Sequence, residues 1–152
     1  MELKVLHRQM DSSDPLYASA ECRQLFNIYD AYYPKTGFCL PCVAYLVILD
    51  NEVAGCCSFT TPPAGGKVEI SYWTFSAYEG RAVASFGCRS LIAIAHQTDP
   101  GIIITAKTAP VKNASTSILQ KNGFVCSGIV QDDEIGDAWL WVLEPPGSST
   151  AA

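Results

Sequence analysis

The sequence predicts a single α/β (α+β) domain, a mixed and mostly antiparallel sheet of about seven strands flanked by helices. The chain has 152 residues, of which 49% are hydrophobic and 16% charged, enough apolar side chains for one sizeable core. Short apolar segments alternate along the chain with segments of helical period. One strand–helix–strand crossover falls within an otherwise antiparallel series, which favours a mixed sheet. We expect the domain over residues 1–144 and a flexible tail over 145–152.

The first half of the chain predicts one helix among four strands. Leu3 and Val5 alternate with polar residues as in a short strand. Asp14 followed by Pro15 is typical of a helix start, because the carboxylate can cap and proline suits the first turn. The expected elements are a strand at 3–7, a helix at 15–33, a loop at 34–42 and strands at 43–50, 53–60 and 67–75.

The second half predicts two helices around a single strand, followed by a hairpin. Val83, Gly87, Leu91 and Ile94 recur on one face of a helix. Gly123 is typical of the residue that ends a helix. The expected elements are a helix at 80–97, a strand at 102–106 buried on both faces, a helix at 113–122 and strands at 124–130 and 137–144.

The charge balance and the hydropathy exclude several classes of partner. Fifteen acidic residues against ten basic ones give a net charge of −5, and the basic residues form no stripe, so nucleic acid is not an expected partner. No apolar segment approaches the length of a membrane span, and no targeting segment is apparent at the start. We therefore expect a cytoplasmic protein with no membrane partner.

The seven cysteines predict reduced, structural thiols. Their number is odd and their spacing irregular, unlike the disulfide framework of a small secreted domain. Cys39 and Cys42 form a single CxxC motif without the further ligands that a zinc site needs, so no metal is expected. Cys56 and Cys57 are adjacent in a predicted strand, so their side chains should point to opposite faces.

The segment from Tyr78 to Ala84 lies between a predicted strand and a helix and contains small residues. A helix N-terminus carries unpaired N–H groups and a partial positive charge, so this turn is a candidate site for a diphosphate. Glycine in such a turn also occurs for steric reasons alone. The segment matches neither GxxxxGK[ST] nor GxGxxG, which leaves nucleoside triphosphate and Rossmann sites without support.

Two further places could carry chemistry. Glu69 lies within a predicted strand; facing a cleft it could act as a base, and facing solvent it would only be hydrated. Asn113 and Ser115 open the last predicted helix, where either of them could simply cap it.

Taken together, five segments resemble one family in their order and spacing. They are VILDNEVAGCCSF, KVEISYW, YEGRAVA, KNASTSILQKNGF and WLWVLE. The chain resembles the GNAT-superfamily N-acetyltransferases, and within them the branch of ribosomal-protein N-terminal acetyltransferases. The similarity covers residues 1–144 in layout and about 43–144 in motif.

The resemblance implies acetyl-CoA as the donor and a place for it. It implies that the fourth and fifth strands splay apart and that the pantetheine arm pairs there with Trp73, Thr74 and Phe75. The pyrophosphate would then lie on the backbone N–H groups of Gly80, Arg81, Ala82, Val83 and Ala84. Asn113 matches a residue that contacts the cofactor. In the family turn [RQ]-x-x-G-x-[GA], Glu79 replaces a cation or an amide and Ala82 replaces a glycine.

The resemblance also implies catalytic roles. An amine attacks the thioester directly, with Glu69 as the base that takes its proton, often through water. Many relatives use a tyrosine on the last helix as the acid, but here that position is Leu119. Ser115 matches the serine that fills this role in the branch named above.

The acceptor and two other functions stay open at this point. The family implies an amine on a small molecule or a peptide N-terminus, and a homodimer is compatible with the sequence. A GNAT-fold protein that binds CoA or another ligand without catalysis is the main alternative. A thiol-redox protein based on Cys39 and Cys42 is the third, although Pro41 and the strand after it argue against a CxxC at a helix start.

Overall fold

The computed structural model describes residues 1–146, and within them seven strands form one sheet with three α-helices packed on its faces. The strands are β1 (Glu2–Val5), β2 (Ala44–Leu49), β3 (Glu52–Phe59), β4 (Lys67–Thr74), β5 (Ile103–Thr108), β6 (Val125–Asp132) and β7 (Gly136–Leu143). The helices are α1 (Ala20–Thr36), α2 (Val83–Thr98) and α3 (Ala114–Lys121), with 3₁₀ turns at Pro15–Tyr17 and Ser76–Tyr78. Most of the expected tail, residues 147–152, lies outside the described residues.

The order of strands across the sheet is β1-β2-β3-β4-β5-β7-β6. Strands β4 and β5 are parallel and the other neighbours are antiparallel, because α2 crosses over between β4 and β5. The predicted fold class is therefore confirmed. No helix among residues 1–146 has the length and apolar character that spanning a bilayer requires.

Helices α2 and α3 cover one face of the sheet, and α1 covers the other. The core on the α2 side includes Val47, Cys57, Ile70, Leu91 and Leu119. The core on the α1 side includes Leu25, Leu46, Cys56 and Phe75. Cys56 and Cys57 therefore lie on opposite faces, as the alternation of a strand predicts.

Helix α1 begins at Ala20, so the prediction of a helix from residue 15 was wrong at this end. The Asp14 carboxylate accepts a hydrogen bond from the Leu16 N–H at 2.9 Å, which caps only the short 3₁₀ turn. The cap of α1 is Ser19, whose Oγ accepts a hydrogen bond from the Cys22 N–H at 3.1 Å. Two consecutive capping sites therefore divide this region into a turn and a helix.

The other end of α1 also differs from the prediction, since the helix continues through Pro34 to Thr36. Proline removes only its own N–H donor, and the residue that ends the helix is Gly37, with φ of +89°. Tyr33 anchors this last section, because its hydroxyl donates to the Leu6 carbonyl at 2.7 Å and accepts from the Ala44 N–H at 3.1 Å.

Strand β5 is buried on one face, and the prediction that both faces are buried was wrong. Ile104, Ala106 and Thr108 are buried, whereas Lys107 is exposed. The Lys107 face lies on the α1 side of the sheet, where it borders an open cleft.

Close backbone packing fixes where α2 lies on the sheet. A Cβ at Gly87 would come within 2.9 Å of the Cys57 Cβ, so glycine allows α2 to approach β3. A Cβ at Gly55 would come within 2.5 Å of the Trp73 carbonyl oxygen. These two glycines bring the start of α2 and the end of β4 close to β3.

Candidate active site

The candidate site is the gap where β4 and β5 separate. Their pairing joins Lys67–Glu69 to Ile103–Thr105. Beyond Glu69, β4 continues to Thr74 paired with β3, while β5 continues to Thr108 paired with β7. The sheet is therefore split from Glu69 onward, which confirms the predicted parting of the fourth and fifth strands.

The turn that precedes α2 follows the free end of β4. Gly80 has φ of +78° and Ala82 has φ of +62°, and α2 begins at Val83, so the prediction of a helix from residue 80 was wrong. Ala82 is the N-cap and makes no side-chain capping bond, whereas Ser19 caps α1 and Asn113 caps α3. The first N–H groups of α2 have no intrahelical partner, so they are available to an anion.

Trp73 and Thr74 end β4, and Phe75 follows them toward this turn. The Phe75 side chain is buried, and its N–H donates to the Ala54 carbonyl at 2.9 Å. Trp73 is 37% exposed, and its ring packs edge-on against Phe75 at 5.0 Å between centroids. The segment predicted to bind pantetheine is thus the end of a strand, followed by Phe75, which is buried and bonded to β3.

The Arg81 side chain extends away from the backbone turn. Its guanidinium forms an exposed ion pair with Asp50 at 3.2 Å and lies over the Tyr78 ring. Tyr78 in turn donates a hydrogen bond to Glu52. Glu79 is exposed. These contacts tie the turn to the β2–β3 hairpin while the backbone of the turn stays on the surface.

A cavity of about 480 Å³ lies on the α1 side of the gap, between α1, β4, β5 and the β6–β7 turn. Glu69 is on its wall, with its side chain 30% exposed. One carboxylate oxygen accepts a hydrogen bond from the Thr60 hydroxyl at 3.1 Å, and the other lies 3.4 Å from the Lys107 ammonium. Glu69 therefore faces a cleft, as the functional alternative requires.

The charges around this cavity are mainly negative. Asp132, Asp133 and Glu134 join Glu69 on the wall, and Lys107 bridges Glu69 and Asp132. The attraction of Glu69, with that of Asp132, raises the pKa of Lys107 above its usual value. Hydrogen bonds from the Glu134 and Ile135 N–H groups lower the pKa of Asp132. A cation entering the cavity would meet a negative potential.

The first turn of α3 holds Asn113 and Ser115 in different roles. The Asn113 side-chain oxygen accepts a hydrogen bond from the Thr116 N–H at 3.1 Å, while the Thr116 hydroxyl accepts one from the Asn113 N–H at 3.0 Å. In this capping box the side-chain amide oxygen of Asn113 is already bonded, and Ser115 takes no part in the cap. The Ser115 Oγ donates instead to the Tyr72 hydroxyl at 3.2 Å.

The predicted residues lie around the gap on both faces of the sheet. Glu69 faces α1, whereas Tyr72, the partner of Ser115, packs on the α2 side. Glu69 and Ser115 are thus on opposite sides of β4. Sequence reasoning missed Lys107 and Tyr72. Alternation along β4 could have placed Tyr72 on the face opposite Glu69, but no sequence signal linked it to α3.

Most of the cysteines lie in the core of the domain. Those at 22, 42, 56, 57 and 88 are buried, and Cys39 and Cys126 are exposed. Burial raises the pKa of Cys56 and Cys88 to about 12, which keeps both thiols protonated at neutral pH. Among residues 1–146, no group of His, Cys, Asp or Glu side chains is placed to hold a metal ion.

Solved acetyltransferase structures share this fold. The ribosomal L7/L12 α-N-protein acetyltransferase RimL, in an apo form, superposes with a TM-score of 0.67 at 17% identity, covering 94% of this chain and 92% of that one. RimL in complex with coenzyme A gives 0.60 at 22% identity, with coverages of 86% and 76%. The microcin C7 self-immunity acetyltransferase MccE, in complex with acetyl-CoA and AMP, gives 0.63 at 16% identity, with 81% and 71%. The architecture is that of the GNAT acetyltransferases.

The family follows from the sequence itself. Residues 7–125 match the family model described as the acetyltransferase (GNAT) domain, which is more than half of the chain. The protein belongs to the GNAT acetyltransferase family and is an acetyltransferase of that class. No curated protein matches the chain.

Proposed function

We propose that the protein transfers an acetyl group from acetyl-CoA to a primary amine, by direct attack of the amine while both substrates are bound. The observation that carries this proposal is the separation of β4 from β5 at Glu69, close to a helix start without a side-chain cap. An extended ligand can enter such a gap with its anionic end on α2 and its other end beside Glu69.

The backbone from Gly80 to Ala84 would hold the diphosphate. A Cβ at Gly80 would meet no atom within 4 Å, so this turn is open to a ligand. Ala82 adopts the left-handed conformation that glycine usually supplies in the family turn. The N–H groups of the turn belong to the backbone, so their direction does not depend on the Ala82 side chain. The replacement of glycine by Ala82 is thus compatible with anion binding.

Acetyl-CoA would supply an activated acyl thioester, and β4 would hold its pantetheine arm. The edge of β4 from Ile70 to Thr74 faces the gap, where an extended arm can accept and donate hydrogen bonds as a neighbouring strand would. Trp73 and Thr74 are the last residues of this edge, and Phe75 follows them toward the α2 turn.

The acceptor would enter through the cavity on the α1 side. Its carboxylates at Glu69, Asp132, Asp133 and Glu134 favour a protonated amine over an anionic or neutral acceptor. A volume of about 480 Å³ is compatible with a small amine or with the first residues of a peptide. RimL, which shares the fold, acts on the α-amino group of a ribosomal protein.

Glu69 would remove the proton that prevents attack. An alkylammonium has a pKa of about 10.4 and an α-ammonium one of about 8, so most of either amine is protonated at neutral pH. Glu69 borders both the cavity and the start of the gap, so its carboxylate can take this proton directly or through a water. Ser115, on the other side of β4, would donate a hydrogen bond to the departing sulfur.

A two-part experiment tests the proposal. Differential scanning fluorimetry with CoA should show stabilisation, worth about 2.7 kcal/mol at a hundredfold excess over Kd. Thiol release from acetyl-CoA is then followed with a panel of diamines, amino acids, peptides and anionic amines. Turnover with a cationic amine supports the proposal. Stabilisation without turnover for any amine would favour a ligand-binding protein, and no stabilisation at millimolar CoA would reject the site.

A further inference from the structure

A pair of hydroxyl groups connects β4 with α3 at the gap. The Ser115 Oγ donates to the Tyr72 hydroxyl at 3.2 Å, and the Tyr72 hydroxyl donates to the Ser115 carbonyl at 3.0 Å. The two residues are 43 positions apart in the chain, so this contact exists only in the folded protein. The tyrosine therefore holds the first turn of α3 against the separated part of β4.

Tyr72 lies three residues past Glu69, the last residue of β4 that pairs with β5. Its ring is half-buried and packs on the core beneath α2. Burial raises the pKa of Tyr72 to about 12, so the hydroxyl stays protonated throughout the neutral range. The fold thus places an un-ionised hydroxyl on the side of the gap that α2 covers.

Ser115 takes no part in capping α3. Asn113 and Thr116 already satisfy the helix N-terminus through the capping box. The buried Leu119 lies one turn further along α3 and brings no hydroxyl to the gap. The hydroxyls of Tyr72 and Ser115 therefore form one hydrogen-bonded pair between β4 and α3.

We propose that Tyr72 is a positioning residue that holds the Ser115 Oγ in place to donate a hydrogen bond to the departing sulfur. This inference rests on the proposed acetyl transfer. When the Ser115 proton turns toward the sulfur, the Tyr72 hydroxyl can turn its single proton from the Ser115 carbonyl to the Ser115 Oγ across the same 3.2 Å contact. Hydrogen bonds in such a chain polarise and strengthen one another.

The step balances without ionising either hydroxyl. The amine nitrogen forms a bond to the acetyl carbon, the carbon–sulfur bond breaks, and its electron pair leaves on sulfur. Glu69 takes the proton of the ammonium before attack and passes it to solvent. The second proton, which the nitrogen loses as it becomes an amide nitrogen, goes to water, and the thiolate takes a proton from water after it is released. An ordinary thiol has a pKa of about 8.5, so a thiolate is too weak a base to deprotonate a tyrosine. The pair therefore stabilises charge as a hydrogen-bond donor.

The test is a double-mutant cycle with Tyr72→Phe, Ser115→Ala and the double variant. Tyr45→Phe is the matched control, because it removes a partly buried hydroxyl that donates to the Pro41 carbonyl, away from the gap. We expect Tyr72→Phe to lower kcat by about 3- to 10-fold, the value of one hydrogen bond, with the KM for acetyl-CoA within about twofold. The double variant should be no slower than Ser115→Ala, and Tyr45→Phe should retain full kcat.

The outcomes separate this inference from the proposed function. If wild-type protein transfers no acetyl group, the proposed function fails and the inference fails with it. If Ser115→Ala is slow but Tyr72→Phe keeps the wild-type kcat, only the inference is overturned. The same holds if the two effects multiply in the double variant, or if Tyr45→Phe is as slow as Tyr72→Phe.

Discussion

The ammonium of Lys107, on β5, lies 3.4 Å from a carboxylate oxygen of Glu69, on β4. The ion pair therefore spans β4 and β5 at the point where the sheet splits. The Thr60 hydroxyl holds the second oxygen of Glu69. Protein groups thus orient both oxygens. A general base needs such a fixed orientation, because it must lie within hydrogen-bond distance of the substrate proton.

Replacing Glu69 by glutamine should lower kcat strongly. Glutamine keeps the size and can still accept from Thr60, but it cannot take a proton or pair with Lys107. General-base contributions are typically about 10² to 10⁴-fold, and we expect a loss in this range for the best amine found. Steady-state kinetics at neutral pH measures it. Glu134→Gln, on the wall of the same cavity, is the control and should change kcat by less than about tenfold. An unchanged kcat in Glu69→Gln would remove Glu69 from the mechanism.

Replacing Gly80 by valine should weaken CoA binding. Gly80 has φ of +78°, and an added side chain would point into open space, where the diphosphate is proposed to lie. We expect at least about a tenfold rise in the Kd for CoA by calorimetry, equal to about 1.4 kcal/mol. Gly66→Val is the matched control, because Gly66 has φ of +76° in the β3–β4 turn and equally open surroundings. Equal Kd values for the two variants would contradict the placement of the diphosphate.

Replacing Ala82 by glycine should stabilise the protein. Ala82 has φ of +62°, a conformation that costs an L-residue about 1 to 2 kcal/mol. Glycine removes that cost and adds unfolded-state entropy worth about 0.4 to 1 kcal/mol, so the net gain lies between about 0 and about 1.6 kcal/mol, centred near about 0.8 kcal/mol. Urea unfolding measures it. Ala84→Gly, inside the first turn of α2, should instead destabilise by about 0.5 to 1 kcal/mol. A loss of stability in both variants would argue against the left-handed turn.

The folded protein should lose stability as the pH rises above about 9. Burial raises the pKa of Cys56 to about 12, so the unfolded chain ionises this thiol first. The stability contributed by the buried neutral thiol is complete below the unfolded pKa and disappears as the pH approaches the folded one. At about pH 10 the loss is about 1 to 2 kcal/mol for Cys56, measured by urea unfolding against about pH 8.

Two variants isolate the thiol in that experiment. Cys56→Ala should reduce the difference in stability between the two pH values by about 1 to 2 kcal/mol. Cys126→Ala, which removes an exposed thiol, should leave it unchanged. A difference that is the same in Cys56→Ala and in the wild type would show that Cys56 does not remain protonated in the folded state.

The elements of the fold were predictable wherever a local pattern alone defines them. Alternation and helical period located the seven strands and the three helices, because burial of one face imposes those periods. Capping at the start of α1 was not predictable in the same way, since both Asp14 and Ser19 are suitable caps and tertiary packing selects the second for the long helix. The left-handed residue Ala82 likewise delays the start of α2.

For the candidate site, the sequence proposes single residues but not the contacts between them. Glu69 and Ser115 are candidates from motifs that lie within single segments. The partners Lys107 and Tyr72 escaped because each contact joins segments that are far apart in the chain. Such contacts depend on the register of β4 against its neighbours, and one sequence contains no direct record of that register.

The unpaired section of β4 leaves a strand edge open inside the sheet. An open strand edge at the margin of a sheet is a template for other chains, and proteins shorten, charge or cover such edges. Here the open edge lies in the middle of the sheet, where β4 parts from β5, and it spans only Ile70 to Thr74. A slender flexible molecule can pair with so short an edge as a neighbouring strand would. The fold thereby offers strand-like hydrogen bonding to a small ligand in the interior of the sheet rather than at its margin.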